Sequence, residues 1–330
     1  MAVDASGLRV AILDDYQGVA RSFADWEAGV PGAEVVTFSD HVGEEELGER
    51  LAGFAVIVAM RERTPLPRAV IASLGGLRLI VTTGMRNAAI DLQAAADHGV
   101  VVCGTEAVAW PTVELTWGLI LSLARCIPGE AASVASGGWQ RSVGSDLHGK
   151  TLGILGLGRL GGRVASVGRA FGMEPVAWSP HLDSERAASQ AVTALSKEEL
   201  FARSDVLSIH MVLAESTRGL VGEAELAAMR PGAYLVNTSR GPLVDQGALI
   251  RALEAGRIAG AGLDVFDEEP LPPGHPLLRA PRTVLTPHLG YVSADNYRIF
   301  YGQALQDVQA FLQGAPVREL ATPRAAPRSS

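Results

Sequence analysis

The chain has 330 residues, 48% of them apolar and 19% charged, with a net charge of −8. That length suits two domains with cores of their own, and that apolar content excludes a disordered chain. The charge disfavours nucleic acid or an anionic membrane as the main partner, and two cysteines, Cys103 and Cys126, are too few for a disulfide framework.

The first ten residues carry no basic region followed by an apolar run, so no signal peptide is expected. The longest apolar stretch, Val113 to Ile127, is too short to span a bilayer and is interrupted by Glu114 and Arg125. A cytoplasmic protein with reduced thiols is therefore expected.

Residues 8–103 alternate strand-like and helix-like segments. The predicted strands are Arg9–Leu13, Glu34–Phe38, Val56–Met60, Leu77–Thr82 and Val100–Cys103, with helical stretches such as Glu44–Leu51 and Arg68–Leu74 between them. This alternation predicts a parallel sheet with helices on both faces. Residues 112–127, bracketed by Pro111 and Pro128, read as one helix that is apolar nearly all round and hence buried on most sides. Ser136–Gly149, rich in Gly and Ser and carrying Trp139, reads as a loop.

A second alternating set follows, with predicted strands Leu152–Leu155, Pro175–Trp178, Asp205–Ile209, Tyr234–Asn237, Gly260–Val265 and Thr283–Thr286. It opens with a strand-length apolar run, then Gly156, Gly158 and Gly161, then Leu160, Val164, Val167 and Phe171 at helical spacing before Gly172. Strand, glycine turn and helix in that order begin a dinucleotide-binding βαβ unit. Gly156 permits the tight turn, Gly158 lets the backbone approach a diphosphate, and Gly161 lets helix pack on strand. The N–H groups and dipole of the helix start then hold the phosphates. Ala294–Leu312 reads as an amphipathic helix, and residues 321–330, rich in Pro and Ser, as a disordered tail.

In an open parallel sheet, ligands bind beyond the carboxyl ends of the strands. The polar residues there are Ser179, His210, Ser239 with Arg240, Asp264 with Glu268 and Glu269 beyond it, and His288. Hydride transfer to a carbonyl needs a hydride donor, which the cofactor supplies, a proton donor and a group that holds substrate charge. A guanidinium suits a carboxylate and a polarised oxygen, and an imidazole suits the proton. A carboxylate beside the imidazole fixes its tautomer and favours its charged form. Arg240, His288 and Glu269 supply such a set, with His210 a rival base that spacing alone does not separate. The remaining histidines show no metal-ligand spacing, so no metal site is expected.

These segments, LGILGLGRLGGRVA at 152–165, LVNTSRGPLVDQGAL at 235–249, AGAGLDVFDEEPL at 259–271 and LTPHLGY at 285–291, resemble the D-isomer-specific 2-hydroxyacid dehydrogenase family over residues 8 to about 318. The resemblance implies two doubly wound α/β domains, a Rossmann cofactor domain (105–290) inserted in a flavodoxin-like substrate domain (1–104 and 291–330). It implies Arg240, Glu269 and His288 as the catalytic set, choosing Glu269 over Glu268 and His288 over His210. It places Gly156, Gly158, Arg159, Leu160, Gly161, Ser179, Thr238, Arg240, Asp264 and His288 around the cofactor, with Asp264 on the nicotinamide amide. Arg61, Gly84 and Met85 join Arg240 at the substrate, whose carboxylate would lie on main-chain N–H groups of Thr83–Asn87. It also implies a homodimer with the apolar helix at its interface.

Three departures from the family pattern stand out. Ser179 occupies the position after the second Rossmann strand where an Asp often binds the ribose hydroxyls. Loss of that acid removes a barrier to a 2′-phosphate, which tips the expectation from NAD toward NADP, with Ser179, His181 or Arg186 as phosphate partners and NAD still open. Residues 210–212 read His-Met-Val in place of His-x-Pro, and Gly84–Asp91 lacks the commonest glycine–acid pattern. The implied activity is reduction of a small 2-oxo acid in the glyoxylate, hydroxypyruvate or pyruvate range. A phosphoglycerate dehydrogenase-like enzyme and a dinucleotide-sensing, corepressor-like binding protein are the alternatives.

Overall fold

The computed structural model describes residues 5–321, so the readings made of the first four residues and of residues 322–330 lie outside the described residues. The chain divides into two compact units, Met1–Val108 with Ser293–Ser330, and Ala109–Val292.

The first unit runs β1 (Arg9–Ile12), α1 (Ala20–Phe23), α2 (Trp26–Gly29), β2 (Glu34–Thr37), α3 (Glu44–Arg50), β3 (Val56–Ala59), α4 (Arg68–Ser73), β4 (Leu79–Thr82), α5 (Leu92–Asp97) and β5 (Val101–Gly104). The second runs α6 (Trp110–Ala124), α7 (Ile127–Ala135), β6 (Thr151–Leu155), α8 (Arg159–Ala170), β7 (Glu174–Trp178), α9 (Ser184–Ala188), β8 (Thr193–Ala194), α10 (Lys197–Arg203), β9 (Val206–Ile209), α11 (Glu223–Ala228), β10 (Tyr234–Asn237), α12 (Gln246–Glu254), β11 (Gly260–Leu263) and β12 (Thr283–Leu285). The chain then returns to the first unit with α13 (Ala294–Leu312) and β13 (Glu319–Ala321).

The first sheet has the order β13-β5-β4-β3-β1-β2. Its strands β1 to β5 are parallel in the flavodoxin-like order 2-1-3-4-5. Strands β3, β4 and β5 are buried along their whole length, as a parallel sheet covered on both faces requires. The sequence reading did not foresee β13, which adds to β5 antiparallel with an irregular register. Its three residues show no alternation long enough to announce a strand.

The second sheet is parallel throughout, in the order β12-β11-β10-β9-β6-β7-β8. It has one short strand, β8, beyond the six expected. The strand order reverses between β6 and β9, so the loops after these strands diverge and open a crevice. Residues of alternate parity feed two cores. Leu152 and Ile154 pack with Val113, Trp117, Ile120 and Val164 on one face. Leu155, Leu207 and Ile209 pack with Phe201, Leu226, Leu249 and Leu253 on the other.

The single helix expected over 112–127 is two helices. Cys126 adopts a left-handed conformation (φ 54°) and breaks the run. Pro128 sits in the first turn of α7, where its missing N–H is not needed, and so starts a helix instead of ending one. The buried side of α6 comprises Val113, Thr116, Trp117, Leu119, Ile120, Leu123 and Ala124.

Candidate active site

The glycine turn sits at the carboxyl end of β6, at the strand-order reversal. Gly156 has φ 106°, and an added Cβ would stand 2.6 Å from the His210 carbonyl oxygen. At Gly161 an added Cβ would collide with the Gly156 carbonyl. Both positions therefore answer to the protein's own packing. Gly158, which caps α8, does not: its φ is −103° and an added Cβ would meet nothing within 4 Å. Its open flank lies at the positive end of a 12-residue helix, a setting that fits an incoming diphosphate. Arg159 and Leu160 form the first turn of α8 behind it. Ser179, just beyond β7, accepts the Leu157 N–H on its Oγ at 2.8 Å, so it is tied to the glycine turn.

Further along the same sheet edge, burial and hydrogen bonding order the polar residues. The Asp264 carboxylate is fully buried. Its Oδ1 accepts from Thr286 Oγ1 at 2.6 Å and from the Leu289 N–H at 2.7 Å, and its Oδ2 from the Gly290 N–H at 2.8 Å. Burial nonetheless holds its pKa above the ordinary carboxylate value. These bonds fold residues 286–290 into a turn that holds His288 in the left-handed region, at φ 53°.

His288 Nδ1 lies 2.6 Å from Glu269 Oε2. The other oxygen of Glu269 accepts the Phe266 N–H at 2.9 Å, so the carboxylate is fixed at both ends. Glu268 is exposed, whereas Glu269 is half-buried against the imidazole. The two adjacent acids that spacing left equivalent are thereby distinguished. His210 is distinguished from His288 in the same way. Its Nε2 is 2.8 Å from Ser208 Oγ, and burial drives its pKa down to about 4. It remains neutral at working pH, and among the described residues no carboxylate offsets that burial.

Arg240 follows β10. The Asn237 side chain clamps its turn by donating from Nδ2 to the Arg240 carbonyl at 2.9 Å, while its Oδ1 accepts the Ser239 N–H at 3.0 Å. The guanidinium donates to the Ser239 carbonyl at 2.7 Å. At Gly241 an added Cβ would collide with the Phe266 carbonyl and the Asp267 N–H. The backbone after Arg240 thus presses directly on the loop that carries Glu269. Thr238, in the same turn, is buried with its hydroxyl 2.8 Å from Thr116 Oγ1.

In the first unit, Arg61, Gly84 and Met85 form a cluster of their own at the ends of β3 and β4. Arg61 (φ 53°) donates its N–H to Thr83 Oγ1 at 2.8 Å and its Nη1 to the Thr83 carbonyl at 2.9 Å. Gly84 (φ 98°) lies beneath the guanidinium, where an added Cβ would strike Nη1. Its N–H donates to Thr105 Oγ1 at 2.9 Å, and Met85 is 43% exposed.

The sequence reading assigned nothing to Thr112, Thr116, Thr286 or Ser208, which hold these turns. A signal was present in two cases: Thr112 and Thr116 stand four residues apart on a helix whose other buried residues are apolar.

A model of the D-isomer-specific 2-hydroxyacid dehydrogenase NAD-binding domain matches residues 117–290. Glyoxylate reductase of Aeropyrum pernix is 41% identical over 248 residues, which cover 72% of this chain and 74% of that protein. D-3-phosphoglycerate dehydrogenase of Bacillus subtilis is 37% identical over 261 residues, covering 78% of this chain but 50% of that protein, so the chain spans about half of that relative's length. The crystal structure of a phosphoglycerate oxidoreductase from Vibrio cholerae matches with a TM-score of 0.89 at 38% identity, covering 93% of this chain and 100% of that one.

Proposed function

Because the chain belongs to the D-isomer-specific 2-hydroxyacid dehydrogenase family, NAD(P)-dependent oxidoreductases acting on a CH–OH group, we propose that it reduces a small 2-oxo acid, in the glyoxylate, hydroxypyruvate or pyruvate range. The nicotinamide, when bound, supplies the hydride. Everything else falls to side chains.

His288 carries the proton to the carbonyl oxygen from Nε2, with Nδ1 held on Glu269. Arg240 binds the substrate carboxylate and polarises the carbonyl. In the first unit Arg61 and the Thr83–Asn87 loop take up the acid. Gly84 gives its N–H to Thr105, which leaves the N–H groups of Met85 and Arg86 for the carboxylate. The observation that carries this reading is the 2.6 Å contact between His288 Nδ1 and a Glu269 carboxylate that is itself pinned by the Phe266 N–H. A base built to be handed protons needs a fixed tautomer, and this pair fixes it.

Gly156, Gly158, Arg159, Leu160 and Gly161 hold the diphosphate, and Thr238 and Asp264 line the nicotinamide end. Ser179, tied to Leu157 and neutral, puts no acid at the end of β7 to repel a 2′-phosphate, which favours NADPH slightly over NADH. No single helix among the described residues is long and apolar enough to cross a membrane. A cytoplasmic homodimer completes the proposal. The apolar helix expected at its interface is mostly buried within its own unit, and the exposed apolar side chains that follow it, Ile127 and Val134, are the ones such an interface would cover.

A panel of glyoxylate, hydroxypyruvate, pyruvate and 3-phosphohydroxypyruvate, each with NADH and NADPH, tests the substrate and cofactor together. Fastest turnover on 3-phosphohydroxypyruvate would favour the second reading, a phosphoglycerate dehydrogenase-like enzyme, which the Bacillus relative suggests. Tight nucleotide binding with no turnover on any acid would favour a dinucleotide sensor. His288→Ala should lower kcat by about 10²–10⁴ and leave nucleotide affinity nearly unchanged; unchanged turnover would remove His288 from the chemistry.

A further inference from the structure

We propose that Thr112 and Thr116 are positioning residues for the reaction, joining the turn that carries His288 to the turn that carries Arg240 through one face of α6. The proposal rests on the roles given to Arg240 and His288 above. The two threonines stand one helical turn apart, so their side chains share a face. Thr112 Oγ1 donates to the Gly290 carbonyl at 2.7 Å. Gly290 is the residue whose N–H is held by Asp264 Oδ2, so the turn behind His288 is gripped through both peptides that flank one residue. Thr116 Oγ1 contacts Thr238 Oγ1 at 2.8 Å and the Thr112 carbonyl at 2.7 Å.

Proton counting sets the direction of this chain. A carbonyl only accepts, so the one hydroxyl proton of Thr116 goes to Thr112. Thr238 must then donate to Thr116 Oγ1. Its hydroxyl is left as an acceptor toward the nucleotide pocket, where an undirected hydroxyl would be donor and acceptor alike.

Packing does not ask for these hydroxyls. Thr116 is fully buried, and the rest of the buried face of α6 is apolar. Valine has the same shape and a lower cost of burial. Threonine at both positions therefore reflects the two bonds it makes, and each bond reaches a turn that bears a reacting group.

The test compares Thr112→Val and Thr116→Val with the serine variants at the same positions. Thr112→Val should lower kcat about three- to tenfold, the scale of one hydrogen bond, with KM for the nucleotide unchanged. In the nucleotide-free protein it should speed amide exchange at Leu289 and Gly290. Thr112→Ser should restore both. Thr116→Val should weaken nucleotide binding in a fluorescence titration by a similar factor, and Thr116→Ser should restore it. Thr112→Ala, which adds no bulk, takes the place of the valine variant if that variant does not fold.

Unchanged kcat and exchange in Thr112→Val overturn the proposal. So does a loss that serine fails to restore, since that belongs to packing. His288→Ala is run alongside: retained turnover there sinks the underlying reading, while exchange at Leu289 and Gly290 and the nucleotide titration still judge the threonines by themselves.

Discussion

The two units share an architecture and differ in what stands at the first helix N-terminus after the first strand. In the first unit β1 leads to Asp15, whose carboxylate accepts the Val19 N–H at 2.9 Å and the Ala20 N–H at 3.1 Å at the start of α1. In the second, β6 leads to Gly156 and Gly158, and the start of α8 is left without a side-chain cap. The same electrostatic need, an anion on the free N–H groups of a helix, is met from within in one unit and kept for a ligand in the other. A repeated fold thus yields one self-contained unit and one cofactor site through a change of side chain at a single turn.

The largest test of this comparison gives the second unit the acid of the first. Gly158→Asp should weaken nucleotide binding by about a hundredfold or more, because like charges placed together cost several kcal/mol. The melting temperature should hardly move, since an added side chain there meets open space. Retained affinity, measured by titration, would mean that the diphosphate does not use this helix. The converse change, Asp15→Ala, should cost roughly 1 kcal/mol of stability, the usual value of a lost helix cap. Chemical denaturation should show that loss with nucleotide affinity intact; a loss of affinity instead would break the division of labour.

The last contrast concerns pH. Asp307 on α13 is fully buried, with Arg318 Nη2 2.9 Å away. Burial outweighs that partner and pushes its pKa up to about 7. A carboxyl bound more tightly to its proton in the folded chain stabilises it fully below its ordinary value of 3.8, and that contribution is lost as pH rises through about 7. His210 in the second unit has the opposite sign. With its pKa lowered from 6.5 to about 4, it favours the folded chain above pH 6.5, and that contribution is lost as pH falls through about 4. Amide exchange followed from pH 4 to 8 should therefore show the second unit loosening toward acid and the first toward alkali. Asp307→Asn should flatten the alkaline slope and His210→Gln the acid one. Parallel slopes in both variants would show that these groups do not set the difference.

Much of this was legible along the chain. The strand Tyr234–Asn237 and the helix Ala294–Leu312 are found at the expected bounds, because each keeps its period without interruption. The glycine spacing announced the turn because Gly161 answers to Gly156 and Ile154 within a few residues and Gly156 takes a left-handed φ of 106°, although the contact that closes in on Gly156 comes from the distant His210 carbonyl. The exceptions share one feature. Cys126 breaks a helix that looked continuous, β13 exists only because β5 offers an edge, and Thr112 matters only because Gly290 is brought to it.

The amino-acid order by itself determined the two α/β units, the family and the residue types available for chemistry, since periodicity and turn preference are set by near neighbours. Spacing left Glu268 beside Glu269 and His210 beside His288, and only the family resemblance named Glu269 and His288; why one acid meets His288, why His210 is shut away as neutral, and which threonines hold the turns were decided by the tertiary structure. Those outcomes depend on loops from separate strands closing on one another, and on the burial that closure creates.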